Sequence, residues 1–193
     1  METTTKPLPN SFDEEIQAYI SVDIETSGPN PSQYSLLSIG ACTLTVPQHT
    51  FYVELQPVNN NYVPEAIAVS GLSLARLAEI GLPPRQALVR FESWLQTTLP
   101  PETLPIFVGF NAPFDWMFIN DYFHRFLQHN PFGHKALDLK AFYMALKKVT
   151  WKQTSLRDVS QNYPIPDSLT HNALQDAIDQ AEIFRKMLTE ISS

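Results

Sequence analysis

Three strand-like segments follow one another in the first third of the chain, and this succession most restricts what the chain can fold into. QAYISVD (17–23), SLLSIGACTLTV (35–46) and HTFYVELQP (49–57) are rich in β-branched and aromatic residues and are separated by turn-forming residues. A fourth strand is predicted within TLPIFVGF (103–110). Helical segments fill most of the remaining chain. This order predicts an α/β domain with a mixed sheet.

The predicted helices have apolar residues three and four positions apart. They cover 72–80, 84–95, Pro113 to about Gln128, 136–148, 154–160 and 173–191, with a loop at 56–66. A length of 193 residues favours one domain, which we place at 15–193 after a flexible lead-in at 1–14.

Acidic residues outnumber basic residues: 20 Asp and Glu stand against 13 Lys and Arg, a formal net charge of −7. This balance argues against a protein whose whole surface is positively charged and binds polyanions in that way. Cys42 is the single cysteine, so no intrachain disulfide forms, and we expect it to be buried. The N-terminal residues do not resemble a signal peptide, and no segment reaches the roughly 18 apolar residues that cross a bilayer. We therefore predict a cytoplasmic protein with no membrane partner.

Asp23 and Glu25 come at the end of the first predicted strand. Residues two apart in a strand project to one face, so the two carboxylates are expected to lie together at the end of the sheet. Neighbouring like charges are unfavourable unless a cation neutralises them. Oxygen ligands without a Cys or His cluster favour Mg²⁺ or Mn²⁺ over zinc. Taken alone, Asp-x-Glu also fits two exposed acids at a strand end.

A second candidate motif runs from Val108 to Asp115. The fourth strand is predicted to place Asn111 at its end, Pro113 begins the next helix, and Asp115 lies in the first helical turn. A carboxylate from a second element can therefore face the same end of the sheet. Asp is also common in first turns because it interacts favourably with the helix dipole, so a purely structural role stays open.

The third candidate motif places His171 near the start of the last helix and Asp176 further along it. Ser168 or Thr170 is expected to cap this helix. A histidine titrates close to neutral pH and can therefore accept a proton from an attacking water. Taken alone, the same pattern also fits a capped helix with a surface histidine.

The segments DIETSG, LLSIGA, GFNAPFD and HNALQDA occur in this order along the chain. Together they resemble the DnaQ-like 3′-5′ exonucleases, in the histidine-containing (DEDDh) branch of the DEDD superfamily, which includes ribonuclease T-like and proofreading exonucleases. The resemblance extends from about residue 16 to about residue 188. It implies a ribonuclease H-like fold, an α/β structure whose central mixed five-stranded sheet is flanked by helices.

The resemblance also implies a set of site residues and two divalent metal ions, Mg²⁺ or Mn²⁺. Asp23, Glu25 and Asp176 would hold one ion, Asp23 would share the second with the substrate phosphate, and Asp115 would support the second. His171 would be the general base for the attacking water. The implied reaction is hydrolysis of the terminal phosphodiester bond of single-stranded DNA or RNA, releasing nucleoside 5′-monophosphates.

Five further residues are candidates for substrate binding. The resemblance places Thr26 and Leu72 against the terminal nucleotide, with Leu72 as an apolar wedge against its base. Asn111 lies within the second motif, and Phe110 and Phe114 flank it, where an aromatic ring can stack on a base. Aromatic residues beside a strand end are more often part of the core, so this alternative stays open for both phenylalanines.

The expected partner is the 3′ end of a single-stranded nucleic acid. Two other functions stay open: an exoribonuclease that trims RNA or degrades oligoribonucleotides, and a non-catalytic nucleic-acid-binding module on the same fold. Segment 135–157 has six Lys and Arg against one acid and could guide the strand or be an ordinary solvated face. Some relatives are homodimers, and the sequence does not decide between one copy and two.

Overall fold

The computed structural model describes residues 19–101, 103–165 and 171–192. Within them a five-stranded sheet has the order β3-β2-β1-β4-β5. Its strands are β1 (Tyr19–Thr26), β2 (Leu36–Thr43), β3 (Thr50–Glu54), β4 (Ile106–Gly109) and β5 (Ala136–Asp138). β2 pairs antiparallel with β1 and β3, whereas β4 pairs parallel with β1 and β5. The predicted mixed five-stranded sheet is confirmed, and the predicted lead-in at 1–14 lies outside the described residues.

Seven α-helices occur in the described ranges, together with a short 3₁₀ helix at Trp151–Gln153. They are α1 (Pro64–Ser70), α2 (Leu74–Ile80), α3 (Pro84–Thr98), α4 (Ala112–Leu127), α5 (Leu139–Lys147), α6 (Leu156–Asn162) and α7 (Ala173–Ile191). The bounds predicted for the last helix are confirmed. No helix in the described part of the chain has the length and apolar character needed to span a membrane.

The two faces of β1 pack against different helices. Ile20, Val22 and Ile24 are buried in a core that includes residues of α3 and α4. Asp23 and Glu25 alternate with these residues and therefore project to the opposite face, where α7 packs. Because side chains alternate along β1, the carboxylates of Asp23 and Glu25 both face α7, the helix that carries the third motif.

Gly40 on β2 lets α7 approach the sheet closely. A Cβ atom at this position would lie 2.1 Å from the backbone carbon of Ala173, closer than any real contact. Ala173 and Ala177 are themselves buried, and the thiol of the fully buried Cys42 donates to the carbonyl oxygen of Ala177 at 3.4 Å. Small residues on both elements therefore bring the start of α7 against the strands.

Three local predictions are wrong. Residues 136–138, predicted as helix, form β5, because their pairing with β4 decides the conformation of so short a segment. Residues 64–66, predicted as loop, begin α1, whose first residue is Pro64. The N-cap of α7 is Asn172, whose side chain accepts hydrogen bonds from the N–H groups of Leu174 and Gln175; Ser168 and Thr170 lie outside the described residues.

Candidate active site

The site begins with two carboxylates on the central strand. Asp23 and Glu25 lie opposite Gly40 and Ser38 of β2, and both are partly exposed on the face covered by α7. The register of the β1–β2 pair becomes irregular between Glu25 and Thr26. The two acids therefore occupy the last regularly paired part of β1.

Asp115 reaches the same place from the first turn of α4. The backbone N–H groups of Asp115 itself and of Ile24 favour its ionised form, which places this carboxylate beside β1. The turn before α4 contains Asn111 in the left-handed region, with φ of 69°. Asn tolerates this conformation better than most residues, so the sequence allows the sharp change of direction from β4 into α4.

The third motif completes the cluster from α7. Asp176 is buried in the first turn of this helix, and the exposed His171 precedes the N-cap, with φ of 52°. Glu25, His171 and Asp176 each offer a ligand atom, and these three atoms lie within 4.8 Å of one another. Glu25 of the first motif thus lies beside His171 and Asp176 of the third, and the charges of Asp115 and Asp176 both act on Asp23.

The electrostatics of the cluster are those of crowded carboxylates. Burial, followed by the charges of Asp115, Asp176 and Glu25, raises the pKa of Asp23 well above its ordinary value. Burial and the charge of Asp176 raise the pKa of Glu25 to about 8. Burial is also the main reason why the pKa of Asp115 is raised to about 8.

These residues fit a divalent metal ion. Within the described ranges, no Lys or Arg forms an ion pair with Asp23, Glu25 or Asp115. Their raised pKa values show that the protein alone does not compensate the ionised carboxylates. Carboxylate oxygens are ligands that Mg²⁺ and Mn²⁺ favour, so a divalent cation would supply the missing positive charge.

The candidate substrate-binding residues lie in different environments. Leu72 is partly exposed and lines a pocket of about 450 Å³ with residues that include Tyr62, Ile67 and Leu74. Thr26 is nearly buried, and its hydroxyl donates to the carbonyl oxygen of Gly28 at 2.9 Å. A sugar hydroxyl that contacts the Thr26 hydroxyl would therefore act as the donor.

The residues of the second motif differ in exposure. Asn111 is exposed, whereas Phe110 and Phe114 are partly buried. Phe110 packs on the core between the sheet and α7. Phe114 packs on the core on the other side of the sheet, which includes residues of α3 and α4, and its ring centroid lies 5.6 Å from that of Phe118. Both phenylalanines thus make the contacts expected of core residues. Their stacking on a base stays a prediction.

Sequence reasoning missed one polar side chain in the site. Gln180 lies one helical turn after Asp176 and is 2% exposed. Its amide nitrogen donates to Oδ1 of Asp23 at 2.7 Å, and its amide oxygen accepts from the N–H of Phe110 at 3.0 Å. A polar residue four positions after a site residue on the same helix was the signal that could have revealed it.

Asp138 supports the second motif from β5. It caps α5, and its Oδ1 atom accepts hydrogen bonds from the N–H groups of Lys140, Asn111 and Ala112 at 3.3, 3.0 and 3.2 Å. The turn that leads to Asp115 is therefore held by a side chain from β5.

Some lysines of the basic segment 135–157 interact within the protein, and others are exposed to solvent. Lys147 pairs with Glu190 at 2.7 Å, and the ammonium of Lys140 lies 4.6 Å from the ring centroid of Trp151. Lys148 and Lys152 are exposed. The segment therefore keeps exposed positive charge beside an exposed aromatic ring, although part of its charge is neutralised within the protein.

Comparisons with known proteins identify the family of the chain. A family model described as "Exonuclease" (RNase_T) matches residues 20–184. The chain is 44% identical over 169 residues to the 3′-5′ DNA exonuclease Cap18 of Escherichia coli, covering 88% of this chain and 90% of that protein. It is 28% identical over 182 residues to ribonuclease T of Baumannia cicadellinicola subsp. Homalodisca coagulata, covering 88% and 82%.

Solved structures show the same fold. The nuclease domain of 3′hExo, described as a DEDDh family member bound to rAMP, has a TM-score of 0.74 at 17% identity and covers 89% of this chain and 92% of that chain. E. coli exonuclease I in complex with a dT13 oligonucleotide has a TM-score of 0.69 at 17% identity, covering 89% and 40%. The predicted ribonuclease H-like fold is confirmed. With its three motifs gathered at one end of this sheet, the chain belongs to the exonuclease family RNase_T.

Proposed function

We propose that this exonuclease removes nucleotides one at a time from the 3′ end of single-stranded DNA and releases nucleoside 5′-monophosphates. The observation that carries the proposal is the convergence of Asp23, Glu25, Asp115, Asp176 and His171 at one end of the sheet. DNA is favoured over RNA because the relative with 44% identity is named as a DNA exonuclease.

The carboxylates are assigned to two divalent cations, Mg²⁺ or Mn²⁺. Asp23, Glu25 and Asp176 would hold one, Asp23 would also contact the second, and Asp115 would support the second. When bound, such ions neutralise charge at the scissile phosphate and lower the pKa of the attacking water. A fold neighbour, Pop2p of S. pombe, is described in an Mg²⁺- and Mn²⁺-bound form, which supports the choice of ions.

His171 is assigned as the general base. Its ring nitrogen lies within 4.8 Å of ligand atoms of Glu25 and Asp176, and its side chain is exposed, so substrate and water can reach it. In this role the imidazole takes the proton of the water that attacks phosphorus and passes it to solvent. The carboxylates hold the reacting groups, and the histidine moves the proton.

Metal affinity is expected to depend on pH. The pKa of Glu25 and that of Asp115 are raised to about 8 in the metal-free protein, so both carboxyls hold protons at neutral pH and must lose them to bind a cation. The Kd for Mn²⁺ should therefore fall as pH rises from 6 to 8, by about tenfold per pH unit for each carboxyl that must ionise. Titration calorimetry in buffers of different ionisation enthalpy measures both affinity and proton release, and a Kd constant across this range would contradict the assignment.

Leu72 is proposed to pack on the terminal base. Leu72→Ala should raise KM for an oligonucleotide about 5- to 30-fold, because about 1–2 kcal/mol of apolar contact is lost, while kcat changes little. Ile80→Ala is the matched control, since Ile80 is an exposed apolar residue at the end of α2 that does not line the pocket. Equal KM values for the Leu72 variant and the wild type would remove Leu72 from the substrate site.

RNA trimming is the second candidate, and similarity to ribonuclease T at 28% identity supports it. Steady-state kinetics on DNA and RNA oligonucleotides of one sequence separate the two. We expect a higher kcat/KM on DNA; a higher value on RNA would transfer the proposal to the second candidate. Binding of both without hydrolysis in Mg²⁺ or Mn²⁺ would favour the non-catalytic module.

Two further assignments complete the proposal. We place the exonuclease domain at 15–193, which includes the 20–184 segment matched by the family model. We propose a cytoplasmic location, which is compatible with a fold that contains one buried free cysteine and depends on no disulfide.

A further inference from the structure

Gln180 is a buried polar residue inside the site that none of the three motifs includes. It lies on α7, one turn after Asp176, and both ends of its amide are used. The nitrogen donates to Oδ1 of Asp23 at 2.7 Å, and the oxygen accepts from the N–H of Phe110 at 3.0 Å. Each of its two partners belongs to a different segment of the site.

The orientation of the amide follows from its partners. The backbone N–H of Phe110 can only donate, so the oxygen of Gln180 must face it. The nitrogen of Gln180 then faces Asp23 and holds one carboxylate oxygen, Oδ1. Within the described residues no hydrogen bond reaches the other oxygen, Oδ2. The contact therefore restrains rotation of the carboxylate and keeps Oδ2 available.

The contact with Phe110 also fixes the turn before α4. Three successive N–H groups of this turn, at Phe110, Asn111 and Ala112, donate to side chains from elsewhere in the fold: the first to Gln180 and the other two to Asp138. Gln180 thus connects the carboxylate of β1 with the turn that positions Asp115. No apolar residue could make both contacts, and a glutamate would lose the donor to Asp23.

We infer that Gln180 is a positioning residue, which orients the Asp23 carboxylate toward a divalent cation and ties it to the turn of the second motif. The inference rests on the proposed metal site. Hydrogen-bond partners of metal ligands commonly change metal affinity by about 10- to 100-fold when they are removed. In this role Gln180 acts through Asp23, since both ends of its amide are already used within the protein.

The test is Mn²⁺ binding to the complete chain, measured by calorimetry without substrate. Gln180→Met keeps the size of the side chain and removes the donor to Asp23. We expect its Kd for Mn²⁺ to be about 10- to 100-fold higher than that of the wild type. Its kcat on a DNA oligonucleotide should fall with little change in KM, and excess Mn²⁺ should restore part of the lost rate.

Ile183→Val is the matched control on the same helix. Ile183 is fully buried in the core beside α7, so its truncation lowers Tm without altering the contact with Asp23. We expect the Mn²⁺ affinity of this variant to equal that of the wild type. If Gln180→Met does not fold, Gln180→Asn takes its place, because its shorter amide cannot span both partners; it should also bind Mn²⁺ more weakly.

The outcomes separate this inference from the proposed function. Wild-type affinity in the folded Gln180 variant, or an equal loss in Ile183→Val, would overturn the positioning role while leaving the metal site intact. Absence of Mn²⁺ binding by the wild type would instead refute the proposed metal site itself.

Discussion

Asp23→Asn is expected to lower kcat by about a thousandfold or more while the protein stays folded. Asp23 is the carboxylate that both proposed cations share, and its asparagine replacement keeps the shape and can still accept the hydrogen bond from Gln180. A loss of about 4 kcal/mol of transition-state stabilisation corresponds to about a thousandfold in rate. Single-turnover kinetics with saturating Mn²⁺ measures the chemical step.

The stability of the same variant provides the control. The pKa of Asp23 is raised in the folded protein, so the folded state binds more protons than the unfolded state, and the contribution of this group to stability is lost as pH rises. Replacing the carboxylate with a neutral amide removes that loss. The metal-free variant should therefore have a higher Tm than the wild type at pH 8, with little difference near pH 4. If the variant were instead less stable than the wild type at pH 8, its loss of activity could not be assigned to the missing carboxylate.

His171→Gly is expected to lower kcat about 10²- to 10⁴-fold, the usual contribution of general acid–base catalysis. Glycine suits this position because the backbone φ is 52°, in the left-handed region that most side chains avoid. The substitution therefore removes the imidazole without straining the backbone before α7. It also leaves space beside Glu25 and Asp176 for a small base.

Added imidazole is the decisive readout for His171. If the side chain acts as a base, imidazole in solution should restore part of the rate of His171→Gly, while KM for DNA and Kd for Mn²⁺ stay close to their wild-type values. A ring nitrogen of His171 also lies within 4.8 Å of ligand atoms of Glu25 and Asp176, so His171 could instead bind the metal. That role makes a different prediction. If His171→Gly binds Mn²⁺ more weakly and excess Mn²⁺ restores its kcat, His171 is a metal ligand and not the general base.

Local sequence patterns were sufficient where the structure depends on local interactions. Strands β1 to β3 are rich in β-branched and aromatic residues, and helix α7 has strong apolar periodicity. The predicted bounds of all four elements lie close to the observed ones. The three-residue strand β5 was predicted as helix, because its conformation depends on pairing with β4, which lies far away in sequence. The residues around Pro64 predict a loop, although proline also favours the first turn of a helix such as α1.

The same distinction applies to the site. The acids and His171 can be predicted from sequence because their residue types are rare in such an order and carry the chemistry. Gln180 was missed because its role depends on two partners, Asp23 and Phe110, that are 157 and 70 positions away in sequence. The contact of Asp138 with the turn at Asn111 likewise appears only once β5 is placed beside β4.

The most direct test of the central claim follows a single-stranded DNA oligonucleotide labelled at its 5′ end. In Mg²⁺ or Mn²⁺, the wild type should shorten the labelled strand one nucleotide at a time from the 3′ end and release 5′-monophosphates, whereas EDTA or the Asp23→Asn substitution should abolish the ladder. Cleavage that persists in EDTA, early release of the 5′-labelled nucleotide, or cutting of circular single-stranded DNA would contradict a metal-dependent 3′-5′ exonuclease.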